Sequence, residues 1–245
     1  MKWLCALVLC AVAFAMSPEE NRNNRELFEG DMRLTPEQRR AVSGLKRAAI
    51  RNTRKLWPKG VMYYVIDGTL AGQSRARSAI NQAINEYKRL TCIRLQRRTN
   101  QRDYVSFRSG GGCASWVGKR GGKQDIWLAP GCWTKGIVVH EIGHALGFYH
   151  EQSRPDRDKF VTILFQNIIP RFQHNFRKMN GKAINTFNFP YDYGSVMHYG
   201  PTFFSKNGKP TIVAKRAGAR IGQRNGLSPS DRNQLTRLYQ SCRIG

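Results

Sequence analysis

The run His140-Glu141-Ile142-Gly143-His144-Ala145-Leu146-Gly147-Phe148-Tyr149-His150 holds three of the five histidines in a chain of 245 residues. His140 and His144 are four apart, so on a helix both imidazoles project from one face, one turn above the other. Two neutral imidazoles at that spacing supply half of a tetrahedral zinc site. Glu141 stands beside the pair, placed to take a proton from a water held there. Gly147 can adopt a positive φ, which ends the helix and turns the chain back. That turn brings His150 round as a third nitrogen donor. Three protein ligands leave a fourth position open, the arrangement of a catalytic rather than a structural site. One Zn2+ per chain is therefore expected on His140, His144 and His150. The plainer alternative is an amphipathic core helix with incidental histidines. The glutamate and the glycine, each where the chemistry requires it, weigh against that alternative.

Outward from this run, regular hydrophobic patterns lie mainly on the N-terminal side. Val61–Ile66 reads as a strand closed by the turn signal Asp67-Gly68. Ser74 to Leu90 reads as a helix, with Ile80, Ala83, Ile84 and Tyr87 on one face. Short strands are expected at 93–95, 104–107, near 115–117 and at 126–128, and the histidine helix from about Trp133 to Leu146. Gly110-Gly111-Gly112 lacks the Lys-Ser/Thr of a phosphate-binding loop and opens no helix, so it reads as a plain loop. After His150 regular structure thins to a strand over 161–164 and a last helix from Ser228-Pro229 to about Gln240. The pattern predicts an α+β fold.

The chain opens with an uncharged run from Leu4 to Phe14, and Ala13-Phe14-Ala15 offers a small-x-small cleavage site. Residues 1–15 are therefore expected to be a secretory signal, too short to span a bilayer, and the product to be secreted without a membrane span. Residues 16–47 are polar, carry both signs of charge, and contain a helix start at Thr35-Pro36. They end at the dibasic Lys46-Arg47 and read as a pro-segment cut after Arg47 by an activating protease. Residues 48–245 form the expected globular domain. Without the signal, Cys92, Cys113, Cys132 and Cys242 remain. In an exported chain they suggest two disulfides, with three connectivities open. The formal charge of +25 attracts acidic proteins, glycans or other polyanions through long-range fields, and nucleic acid is not the expected partner of a secreted chain.

The motif extends through His150-Glu151-x-x-Arg154-x-Asp156-Arg157-Asp158, and Ser195-Val196-Met197-His198-Tyr199 follows later. Together these resemble the astacin family of zinc endopeptidases within the metzincins. The resemblance implies a two-lobed, zincin-like catalytic domain: a mixed twisted sheet with helices in the N-terminal lobe, and a mostly irregular C-terminal lobe ending in a helix. It implies Met197 as a hydrophobic floor beneath the zinc. Tyr199 would be a switchable ligand that also binds the transition state, and Glu141 the general base. Phe28-Glu29-Gly30-Asp31 is similar to the family's pro-segment motif, in which Asp31 would occupy the zinc in the pro-form. Cys92–Cys242 and Cys113–Cys132 would be the disulfides. A freed amino group on Ala48 would pair with Glu151, whose pocket is expected to stay unpaired or loosely hydrated before cleavage; the plainer alternative is a solvated surface Glu151 paired with Arg154 or Arg157. Substrate backbone would pair with the edge strand around Ala114–Val117. The resemblance thus implies a minimal, monomeric, one-domain endopeptidase acting on proteins or peptides, and the basic charge balance predicts a preference for acidic ones. The rival reading is a non-catalytic basic binder of acidic matrix or glycans. The sequence does not name a physiological substrate.

Overall fold

The computed structural model describes residues 27–42, 55–180, 186–240 and 242. The expected signal, 1–15, and the Arg47–Ala48 junction lie outside these residues. In chain order the strands and helices are β1 Met32–Arg33, α1 Pro36–Val42, β2 Val61–Ile66, α2 Gly68–Ala71, α3 Ser74–Leu90, β3 Arg94–Arg97, β4 Tyr104–Arg108, β5 Cys113–Trp116, β6 Lys123–Leu128, α4 Lys135–Ala145, β7 Val161–Ile163, β8 Ile212–Ala214 and α5 Pro229–Leu238. Short 3₁₀ turns fill much of the chain between α4 and α5.

Six strands form one mixed sheet in the order β1-β5-β6-β4-β2-β3, and β5 is antiparallel to β6 while the other pairings are parallel. The helix α3 buries Ala76, Ala79, Ile80, Ala83 and Tyr87 against this lobe, the face that the 3.6-residue period marks. Behind it lies α4, buried from Gly136 to Ala145, so that even its polar side chains His140, Glu141 and His144 lie inside the protein. Its position is fixed by hydrogen bonds as well as packing. Thr134 caps its first turn by accepting from Ile137 N. Carbonyls near its C-terminus, which a helix leaves without partners, accept from Trp57 Nε1 at Ala145 and from the Tyr239 hydroxyl at Leu146, each at 2.9 Å. Two helix glycines permit close approach. A Cβ at Gly136 would meet the Arg224 carbonyl at 1.6 Å, and one at Gly143 would meet the Met197 sulfur at 2.8 Å.

The second lobe is largely irregular. Its core gathers Phe172, Phe176, Tyr191, Tyr193, Tyr199 and Phe204, with Phe160 and Phe203 packed against them, and the antiparallel β7–β8 pair, whose strands are far apart in the chain, adds Val161 and Ile212. A capping box of Ser228 and Asp231 opens α5. Cys92–Cys242 ties the C-terminal end to the sheet lobe, and Cys113–Cys132 closes a short loop leading to α4.

Three elements differ from the sequence expectations. Asp67-Gly68 does more than turn: Asp67 accepts from Thr69 N and caps α2. The strand β8 is three residues long, too short to show a period. The third difference, β1, matters for function. It adds in parallel to β5, pairing Met32 with Ser115 and Arg33 with Trp116, so the edge around Ala114–Val117 expected to receive substrate is occupied by the chain's own N-terminal segment.

Candidate metal centre

Side chains at His140 and His144 on α4 and at His150 after the turn converge. The Nε2 atoms of His140 and His144 lie 3.0 Å apart, and those of His140 and His150 3.4 Å. Gly147, at φ 110°, makes the reversal that places His150 there. Each outer nitrogen has an acceptor: His140 Nδ1 donates to Val196 O, His144 Nδ1 to Phe148 O and His150 Nδ1 to Glu29 Oε2, all at 2.8 Å. With each Nδ1 carrying its proton, three Nε2 lone pairs face one another. Asp31 Oδ2 joins them, 3.1 Å from both His140 and His150 Nε2, and Oδ1 is 3.5 Å from His144 Nε2. Four electron-rich atoms at this spacing repel unless a cation sits among them. Ligands about 2.0–2.1 Å from a tetrahedral zinc stand roughly 3.3 Å apart. The donor set therefore fits Zn2+, and these four residues could hold a metal ion.

The electrostatics agree. Burial pushes Asp31 up, but facing His150 and His144 outweighs it and holds this carboxyl well below the usual range. Burial lowers His150, yet Asp31 and Glu29 draw its pKa up to about 9. Both shifts describe a site that favours positive charge at its centre. Burial pushes the Glu29 carboxyl up, and its second oxygen accepts from Ser153 Oγ at 2.7 Å. The Tyr199 hydroxyl donates to the Glu29 carbonyl, and the Tyr199 ring packs against His150 with centroids 4.7 Å apart. With the N-terminal segment in place, then, Asp31 faces the three nitrogens and Tyr199 is engaged by backbone.

Glu141 is fully buried beside His140, and the Met197 sulfur lies close against Gly143 of the same helix. The remaining histidines do not join the cluster of potential metal ligands. His198 is pushed by burial to about 4. Its Nε2 accepts from the Tyr191 hydroxyl, while its Nδ1 donates to the Tyr199 carbonyl. Glu151 combines the two expectations. It is buried, but Arg154 Nη1 reaches its Oε1 at 3.1 Å and Asp192 N donates to the same oxygen at 2.8 Å. A buried carboxylate is costly without such partners, and the neighbouring arginine already answers it. Burial still raises its pKa to about 7 against the pull of Arg154. A cavity of about 70 Å³ adjoins it, lined among others by Gly147, Met197, Asp231 and Leu238. Sequence reasoning missed Glu29, Val196 and Phe148 as supports of the centre, and Ser153 as a partner of Glu29. Two act through backbone carbonyls, which carry no residue signal, and the other two meet only across the fold.

A His-Glu-x-x-His pair on a buried helix, closed by a third histidine on the returning chain beneath a mixed sheet, defines a zincin-like α+β protein. The family model for Astacin, a peptidase family, matches residues 49–240, and the chain belongs to that family. It is 42% identical over 234 residues to Blastula protease 10 of Paracentrotus lividus, covering 88% of this chain and 38% of that protein. It is 45% identical over 192 residues to Zinc metalloproteinase nas-15 of Caenorhabditis elegans, covering 78% and 33% respectively. Among solved structures, High choriolytic enzyme 1, a hatching enzyme zinc-protease from Oryzias latipes, aligns with a TM-score of 0.73 at 40% identity, covering 80% of this chain and 99% of that one. The chain spans about a third to two fifths of the length of these two curated relatives.

Proposed function

We propose that this chain is a secreted zinc-dependent endopeptidase, made latent by residues 16–47 and cleaving peptide bonds in protein substrates. The observation that carries the reading is the convergence of three Nε2 atoms on the carboxylate of Asp31, with Glu141 buried alongside. His140, His144 and His150 would hold the zinc, and Asp31 would take the fourth position until the segment leaves. When bound, zinc supplies Lewis acidity, polarising the substrate carbonyl and lowering the pKa of a water towards neutrality. Glu141 takes that water's proton as general base and returns it to the departing amine. The Tyr199 hydroxyl, released from the Glu29 carbonyl, donates to the developing oxyanion. With β1 gone, the free edge of β5 can pair with substrate backbone.

Cutting after Arg47 would free an amino group on Ala48. The cavity beside Glu151 is where we place that ammonium, joining Arg154 against a carboxylate otherwise balanced by one arginine. From Ala48 onward the chain holds 33 Lys+Arg against 10 Asp+Glu, a net +23, which supports a preference for acidic substrates. The test is a casein zymogram of the processed chain, with and without 1,10-phenanthroline. Activity abolished by the chelator and restored by zinc is expected. A zinc-loaded, processed chain that cleaves nothing would overturn the reading.

A further inference from the structure

The three histidines are not supported alike. His140 and His144 donate from Nδ1 to the carbonyls of Val196 and Phe148, both within the family domain. His150 donates to Glu29, which lies on the segment expected to be removed. Among the described residues no other acceptor meets that nitrogen. Glu29 is 1% exposed and sits at φ 49°, followed by Gly30 at φ 81°. Positive φ is uncommon for a residue with a Cβ. The conformation achieves a particular aim: Glu29 reaches the outer nitrogen of His150 and Asp31, two residues on, reaches the inner one. Ser153 Oγ fixes the second Glu29 oxygen.

A carboxylate on the outer N–H of a ligating imidazole fixes the tautomer and ring orientation and makes the metal-facing nitrogen more basic. Resting on the reading that the histidines bind zinc and that this segment is removable, we propose that Glu29 is a positioning residue for the metal. The segment that blocks the site also supplies the outer carboxylate of its third ligand. It thereby tightens zinc binding in the pro-form, and its departure loosens His150 as well as uncovering the site. The bland alternative is that Glu29 only anchors the segment through Ser153 and Tyr199.

The test uses the full chain with Arg47→Ala to keep it uncut, loaded with zinc, and measures zinc transfer to a chromophoric chelator. Glu29→Ala is expected to release zinc about 10–100-fold faster. Glu29→Gln, which can still accept a hydrogen bond but carries no charge, should fall between. Ser153→Ala, which loosens the anchor but leaves the His150 bond, should change release little. The Co2+-substituted protein adds a readout of ligand strength: its visible band should shift in Glu29→Gln and not in Ser153→Ala. Zinc release unchanged in both Glu29 variants would overturn the proposal, as would Ser153→Ala matching Glu29→Ala in release rate and band position. Should Glu29→Ala fail to fold, Glu29→Gln decides by the same two readouts. Failure of the underlying reading looks different, because the parent chain would then retain no zinc at all.

Discussion

The two walls of the metal centre are built by different means. The upper wall is α4, which holds His140, Glu141 and His144 inside a lobe of sheet and helix whose backbone groups are mostly satisfied by regular ladders. The lower wall runs through His150, Met197 and Tyr199 in chain with little regular structure, where side chains take over that task. Arg154 alone binds Glu151, Asp156 and the carbonyls of Phe189 and Pro190. Asp231 accepts from Ser195 Oγ, Val196 N and Ser228 N. Buried backbone must find partners whatever the local conformation. An irregular lobe therefore depends on a few buried polar residues as heavily as a regular lobe depends on its apolar core.

The largest effect should come from the upper wall and leave folding intact. Glu141→Gln in the processed chain should lower kcat/KM by on the order of 10²–10⁴, with zinc content and Tm close to those of the parent. A comparable loss of zinc would mean that the two walls are not separable.

Removing the link between the lobes comes next. Cys92–Cys242 spans 150 residues and Cys113–Cys132 spans 19. Loop-closure entropy makes them worth about 5 and about 3 kcal/mol. Paired Cys→Ser variants, unfolded in urea under identical conditions, should rank in that order. The reverse ranking would show that the short loop, not the tie between lobes, limits stability.

The comparison itself is sharpened by Arg154→Met against Ile142→Ala. The first leaves Glu151 buried without its main cation, at about 3–5 kcal/mol. The second opens a hole beneath α4, at about 2–5 kcal/mol. Similar losses of denaturant midpoint are expected. A loss below about 1 kcal/mol for Arg154→Met would break the claim that buried polar groups carry the lower lobe.

The smallest effect concerns pH. Burial raises Asp231 to about 6 despite its three donors, above the ordinary unfolded value of about 3.9. A carboxyl raised on folding favours the protonated native state, so its contribution is fullest below pH 4 and declines as pH rises through 6. The stability of the parent relative to Asp231→Asn should therefore fall between pH 4 and 7, by at most about 3 kcal/mol. A difference that stays flat or grows over that window would refute the assignment.

Much of the upper lobe is legible in the chain. The period over Ser74–Leu90 gives α3 with its observed bounds, and Val61–Ile66 gives β2. In the lower lobe, 161–164 and Ser228-Pro229 locate β7 and α5 to within a residue or two. The aromatic cluster between them has no period to read, because its members meet by loop geometry alone. Glu151 shows the same limit: sequence leaves open a buried carboxylate awaiting an ammonium or a surface one paired with Arg154 or Arg157, and only packing shows it buried with Arg154 and Asp192 N on it.

The sequence by itself determined what depends on spacing along one element: the His140–His144 pair on one helical face, the reversal at Gly147, and the third nitrogen at His150. Covalent distance and helical pitch leave little freedom there. Tertiary structure decided what depends on distant chain meeting: the Val196 carbonyl on His140, Met197 against Gly143, and the threading of Met32–Arg33 along β5. It also set Glu29 and Asp31 on opposite sides of the His150 ring. Those contacts join residues more than a hundred positions apart, and no local period records them.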